Sequence, residues 1–182
     1  MATINLLPDA EVTTQWSPSS LGAQTHDMVN VDEGVNPGAI GDSYMMETTA
    51  GHIFTVEFPD FEEKASSIDG VQAHIKVGQT DRGGTYDIRT TLLDGSGTIP
   101  SILYAEGTGT LAARRTYRDI ALTNRTTTDG STAWSVNVLN SLQLMIEAEA
   151  ISTGDSVLCT YCYVTVTYTP LADNSIFFGT NF

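Results

Sequence analysis

Leu142-Gln143-Leu144-Met145-Ile146-Glu147-Ala148-Glu149-Ala150 places Leu142, Leu144, Ile146, Ala148 and Ala150 in alternation with Gln143, Met145, Glu147 and Glu149. That is the two-residue period of a strand with one face buried. A tryptophan, Trp134, and a short turn precede it. A Gly154-Asp155 turn and a long β-rich run, Val157 to Thr169, follow. The stretch from Trp134 to Pro170 therefore reads as two antiparallel strands closing a β domain.

Upstream, the same signature recurs at regular spacing. Ile53 to Phe58 is stopped by Pro59, and Val71, Ala73, Ile75 and Val77 alternate with Gln72, His74 and Lys76. Tyr86 to Leu93 lies between turns at Asp81-Arg82-Gly83-Gly84 and Asp94-Gly95-Ser96-Gly97, and Tyr117 to Thr123 is a further strand. About one residue in seven is threonine, whose stiff β-branched side chain suits strands. A short helix near Gly109 to Arg115 is the single helical expectation. Short strands separated by turns predict an all-β antiparallel sandwich, of jelly-roll or immunoglobulin-like type. At 182 residues the chain is long enough for one domain with a real core. Residues 1–20, with Leu6-Leu7-Pro8 and Trp16-Ser17-Pro18, read as an extended N-terminal arm. Residues 21–170 read as the sandwich, carrying a long acidic loop at 22–43, and 171–182 as an apolar tail.

The net charge is −14. Phosphate backbones and anionic membrane surfaces are repelled by such a chain, so neither nucleic acid nor membrane is expected as a partner. No apolar run reaches the roughly 20 residues of a membrane span. The N-terminus lacks the basic start and apolar core of a signal peptide, which suggests a product made in the cytoplasm. Asn124-Arg125-Thr126 fits a glycosylation sequon, read as chance without a secretion signal.

Searching for chemistry gives little. Cys159 and Cys162 lie three apart in a strand pattern, which places them on opposite faces and forbids a bond between them unless the strand breaks. They read as packing residues. His26, His52 and His74 form no metal-binding spacing, and no Gly-x-Ser-x-Gly or phosphate loop occurs. Glu62-Glu63 and Glu147/Glu149 are acid pairs that read as solvated faces. Asp94-Gly95-Ser96-Gly97 and the acidic loop from Asp27 to Asp42 offer oxygen ligands for calcium without an EF-hand pattern. No catalytic residue, metal ligand or cofactor is assigned, and no enzyme activity is expected.

The order and spacing of several segments carry a resemblance. Leu7-Pro8-Asp9-Ala10-Glu11-Val12 is followed by Trp16-Ser17-Pro18, then Gly41-Asp42-Ser43-Tyr44 and Ile68-Asp69-Gly70-Val71. Trp134, Leu139-Asn140-Ser141-Leu142-Gln143-Leu144 and Val164-Thr165-Val166-Thr167-Tyr168-Thr169-Pro170 complete the set. This pattern, over most of residues 6 to 170, resembles β-sandwich virion structural proteins of tailed bacteriophages. The resemblance implies a capsid decoration or cement subunit on the outer surface of the virion, or alternatively a component of its tail. Its partners would be the major capsid protein or neighbouring subunits, and a homo-oligomer, such as a trimer, is implied. Leu6, Leu7, Trp16, Ile176, Phe177, Phe178 and Phe182 are then the expected subunit interface, because large apolar side chains at chain ends need a surface to cover them. The alternative is a tail-tip or fibre module that binds host glycans, with Tyr86, Tyr104, Tyr117 or Trp134 stacking on a sugar ring.

Overall fold

A computed structural model describes residues 1–18, 44–79, 84–97, 100–111 and 117–172. The strands are β1 (Ala2–Leu6), β2 (Ala10–Thr14), β3 (Ser17–Pro18), β4 (Met45–Glu47), β5 (Ile53–Glu57) and β6 (Ala65–Gln79). They continue with β7 (Tyr86–Asp94), β8 (Ser101–Gly107), β9 (Arg118–Ala121), β10 (Leu142–Ile151) and β11 (Val157–Pro170). One helical turn, α1 (Val136–Leu139), precedes β10.

Among the described residues the strands form two antiparallel sheets. The first runs β3-β4-β11-β6-β9, with β1 also paired to β11; the second runs β2-β5-β10-β7-β8. Of the eight strands β4 to β11, only β7 and β8 are neighbours in both sequence and sheet. The chain otherwise crosses between sheets at every connection. That ordering, β4-β11-β6-β9 facing β5-β10-β7-β8, is a jelly roll and decides between the two expected sandwich types.

The core lies between the inner faces. Val71, Ala73, Ile75 and Val77 of β6 face Leu142, Leu144, Ile146 and Ala148 of β10, all essentially inaccessible to solvent. The alternation that identified these strands is thus the alternation of inside and outside. At one end α1 closes the sandwich. Ser135 caps it by accepting from the Val138 amide at 3.3 Å. Leu139 is fully buried, and Asn140 Oδ1 accepts from the Phe61 amide at 2.9 Å. Four residues cannot show a helical period, which is why α1 is absent from the sequence reading. β8 carries no strand signal either, because its edge position leaves both faces half-exposed and no alternation develops. The expected helix at Gly109 to Arg115 does not begin: Gly109 has φ +65 and Leu111 bridges Tyr86. Residues 112–116 lie outside the described set.

The first eighteen residues supply β1, β2 and β3, each paired within a sheet. β1 lies against β11 from Ala2↔Tyr168 to Leu6↔Val164, and β2 lies against β5. Both host strands would otherwise present open edges, and an extended segment satisfies those backbone groups. Leu6 and Trp16, expected at a subunit interface, are buried in the chain's own core, at 4% and 2% exposure. Trp16 meets Phe54 edge-on at 4.8 Å, and its indole N–H donates to His52 O at 3.0 Å. Leu7 is 40% exposed. Ile176, Phe177, Phe178 and Phe182 lie outside the described residues, as do His26 and the acidic loop.

β11 departs from the expected phase. Cys159 is opposite Val77 and Tyr161 is opposite Lys76, so Thr160 is an extra residue on β11, a β-bulge. The strand breaks its alternation there. Cys159 and Cys162 therefore both face the core, correcting the expectation of opposite faces, and both are free thiols. Burial pushes the Cys159 thiol up to about 12; burial and the neighbouring Cys159 push Cys162 well above its ordinary value. They are packing residues, neutral at any physiological pH.

A pair of substitutions separates a strand from an arm. Leu6→Ala is expected to lower unfolding free energy by about 2–4 kcal/mol in urea denaturation. Leu7→Ala should change it by less than about 1 kcal/mol. Equal, small effects would mean that the N-terminal segment is not part of the core.

Candidate functional site

The bulge at Thr160 aims the outer residues of β11 as well as the inner ones. Beyond it Tyr161 and Tyr163 point away from the core, opposite Lys76 and His74 of β6. β9 continues the same rows: His74↔Ala121 and Lys76↔Asp119. The outer face of the first sheet thus carries Ala121, His74 and Tyr163 in one row and Asp119, Lys76 and Tyr161 in the next. These six residues bound a shallow cleft of about 340 Å³.

The rings are ordered. His74 and Tyr163 stack at 4.3 Å between centroids with planes 1° apart, and Tyr161 adjoins Tyr163 at 5.2 Å. One face of the imidazole is therefore covered by the phenol. The other looks towards β9, where the residue directly opposite is Ala121, with only a methyl group. The cleft is the slot this small side chain leaves beside the imidazole. Lys76 and Asp119 stand at its next row, so an aromatic wall adjoins a cation and a carboxylate. Burial holds the His74 imidazole below its ordinary value, so the wall is uncharged at neutral pH. Among the described residues no group of three or more His, Cys, Asp or Glu side chains is placed to hold a metal ion.

An aromatic wall beside groups able to donate and accept hydrogen bonds suits a ligand with an apolar face and a polar rim. A pyranose ring has that form, with axial C–H groups on its faces and hydroxyls around its edge.

Two other depressions differ in character. A groove of about 310 Å³ on the outer face of the second sheet is lined by Val12, Ile53, Leu93, Ile102 and Met145, with Gln143. It has no aromatic wall. A hollow of about 430 Å³ beside Leu6 and Leu7 is bordered by Asp60, Glu62 and Glu63.

The aromatic residues expected to meet a sugar are not the ones in the cleft. Tyr86, Tyr117 and Trp134 are buried, at 2%, 6% and 5% exposure. Tyr104 is half-buried, and the Arg125 guanidinium lies 3.5 Å over its ring. The Tyr161-x-Tyr163 spacing in a strand was the available signal, but without the bulge its phase points into the core. Of the other candidates, His52 Nδ1 lies 3.0 Å from Glu47 Oε2. Glu149 is paired with Arg89. Asp94 accepts from the Ser96 amide and the Ser141 hydroxyl, which makes it a turn cap.

No family model matches the chain, and no curated protein matches it. Solved structures similar to it include the CBM36-1 domain of a multidomain xylanase from the hindgut metagenome of Trinervitermes trinervoides. It has 4% identity and a TM-score of 0.44 over 93% of this chain and 100% of that one. A carbohydrate-binding module CBM36 in complex with calcium and xylotriose has 6% identity and a TM-score of 0.43, over 92% and 100%. The module CBM6cm-2 from Cellvibrio mixtus lichenase 5A, in complex with cellotriose, has 18% identity and a TM-score of 0.36, over 92% and 97%. The capsid-decoration reading is corrected here. The three structures named are carbohydrate-binding modules, and none of them is a virion protein. Leu6 and Trp16, two of the anchors assigned to that role, are spent inside the domain.

The half-buried imidazole has a consequence for stability. The unfolded chain protonates His74 near its ordinary value of about 6.5, whereas the folded chain resists protonation until lower pH. Stability is therefore lost as pH falls through 6.5, and this contribution levels off below the folded value. Denaturation at pH 7.5 and pH 5 should show a smaller acid-dependent loss in His74→Gln than in the wild type. An identical loss in both would mean that His74 titrates as an exposed residue.

Proposed function

We propose that this chain is a carbohydrate-binding module without catalytic activity, and that it holds a sugar ring in the slot over Ala121. The reading is supported by the slot itself: an uncharged imidazole face backed by Tyr163, a small residue opposite, and Lys76 and Asp119 at the adjoining row. The aromatic wall takes the C–H face of the ring. The ammonium and carboxylate take hydroxyls at its edge, each as a charge-assisted hydrogen bond. A shallow, open cleft suits a long or surface-borne glycan, which passes across the sheet without being enclosed. The excess of negative charge, −14 over the chain, disfavours strongly anionic glycans and leaves neutral ones as the expected class.

The experiment is an array of neutral and acidic glycans probed with the full chain, followed by titration of each bound glycan against two variants. Tyr163→Ala removes the backing ring and is expected to weaken binding at least tenfold. Ala121→Leu fills the slot at an exposed position, and should abolish binding while thermal stability stays unchanged. An array without binders, or an Ala121→Leu variant that binds as the wild type does, would sink the proposal.

A further inference from the structure

The cleft's imidazole is tied to the N-terminal strand by a short hydrogen-bond chain. His74 Nε2 lies 3.2 Å from Thr165 Oγ1, and the Thr165 hydroxyl donates to Asn5 Oδ1 at 2.8 Å. The three residues stand on three adjacent strands, β6, β11 and β1. Thr165 is opposite Asn5 and follows Tyr163, the stacking partner of His74, by two residues on the same face.

A hydroxyl carries one hydrogen. Thr165 gives its hydrogen to Asn5, so towards His74 it can only accept. The imidazole must then carry its proton on Nε2, which leaves Nδ1 with a free lone pair. No hydrogen bond of Nδ1 to a described residue is found. We infer that Asn5 and Thr165 are positioning residues that lock His74 as the neutral Nε2–H tautomer, presenting Nδ1 as a hydrogen-bond acceptor for a ligand hydroxyl. The same bond fixes the ring against rotation and so keeps the stack with Tyr163 parallel.

This role as a ligand acceptor rests on the glycan-binding reading, but the tautomer does not, and the two can fail separately. Two-bond nitrogen–proton correlation spectra of the ¹⁵N-labelled full chain at pH 7.5 distinguish the two imidazole tautomers without any ligand. The wild type should show His74 as Nε2–H alone. Thr165→Val, which keeps the shape and removes the hydroxyl, should give a mixture of tautomers. Thr165→Ser should restore the single form. On any glycan retained by the array, Thr165→Val should bind about fivefold more weakly, the effect of one lost hydrogen bond, and Thr165→Ser should bind as the wild type does. A wild-type His74 found as Nδ1–H, or as a mixture that Thr165→Val leaves unchanged, would overturn the lock even if glycans bind. A single Nε2–H form with glycan affinity unaffected in Thr165→Val would overturn the acceptor role.

Discussion

One inserted residue in β11 organises the outer face of the first sheet. β11 is paired along its length with β6, and on its other side with β4 through Val157 to Cys159 and with β1 through Val164 to Tyr168. Strict alternation from Val157 and Cys159, both inward, would turn Tyr161 and Tyr163 into the core and Cys162 out to solvent. The extra residue at Thr160 reverses the phase. Cys162 and Val164 then fill the interior, where two phenols would overpack it, and the phenols reach the surface. The bulge falls in the interval between β4 and β1, where among the described strands β11 has no partner on that side. A break in alternation therefore disrupts one ladder and not two.

The second contribution comes from how the jelly roll orders its strands. β6, β9 and β11 are far apart in sequence but adjacent in the sheet, so residues from three separate segments meet in one row. Ala121, His74 and Tyr163 are brought into register by antiparallel pairing once the bulge has set the phase of β11. β1 adds a fourth strand, and with it Asn5. The N-terminal segment is thus structural twice: Leu6 fills the core, and Asn5 orients a group at the surface.

Much of the fold was legible because the core strands obey simple alternation. β5, β6, β7, β10 and β11 were each located from the spacing of their apolar residues, and the antiparallel sandwich followed. What was not legible depends on long-range pairing. Residues 2–6 and 10–14 show no signal distinguishing a free arm from an added strand, since the difference lies in the open edges of β11 and β5. The cleft escapes a local reading for a similar reason. Tyr86, Tyr117 and Trp134 attract notice as aromatic residues beside turns, yet they pack inward. Tyr161 and Tyr163 sit beside cysteines in a run that reads as wholly structural. Only the register with β6 reveals the bulge, and no local pattern announces it. Ala121 could not be singled out at all, because its part lies in its small size opposite His74.

The most direct test of this arrangement is chemical labelling of the native full chain, read by peptide mass spectrometry. Tetranitromethane should nitrate Tyr161 and Tyr163 well ahead of the buried Tyr86 and Tyr117. A thiol reagent should leave Cys159 and Cys162 unmodified until denaturant is added. Native labelling of Cys162 together with protection of Tyr161 and Tyr163 would show that β11 keeps its alternation through Thr160, and the platform described here would not exist.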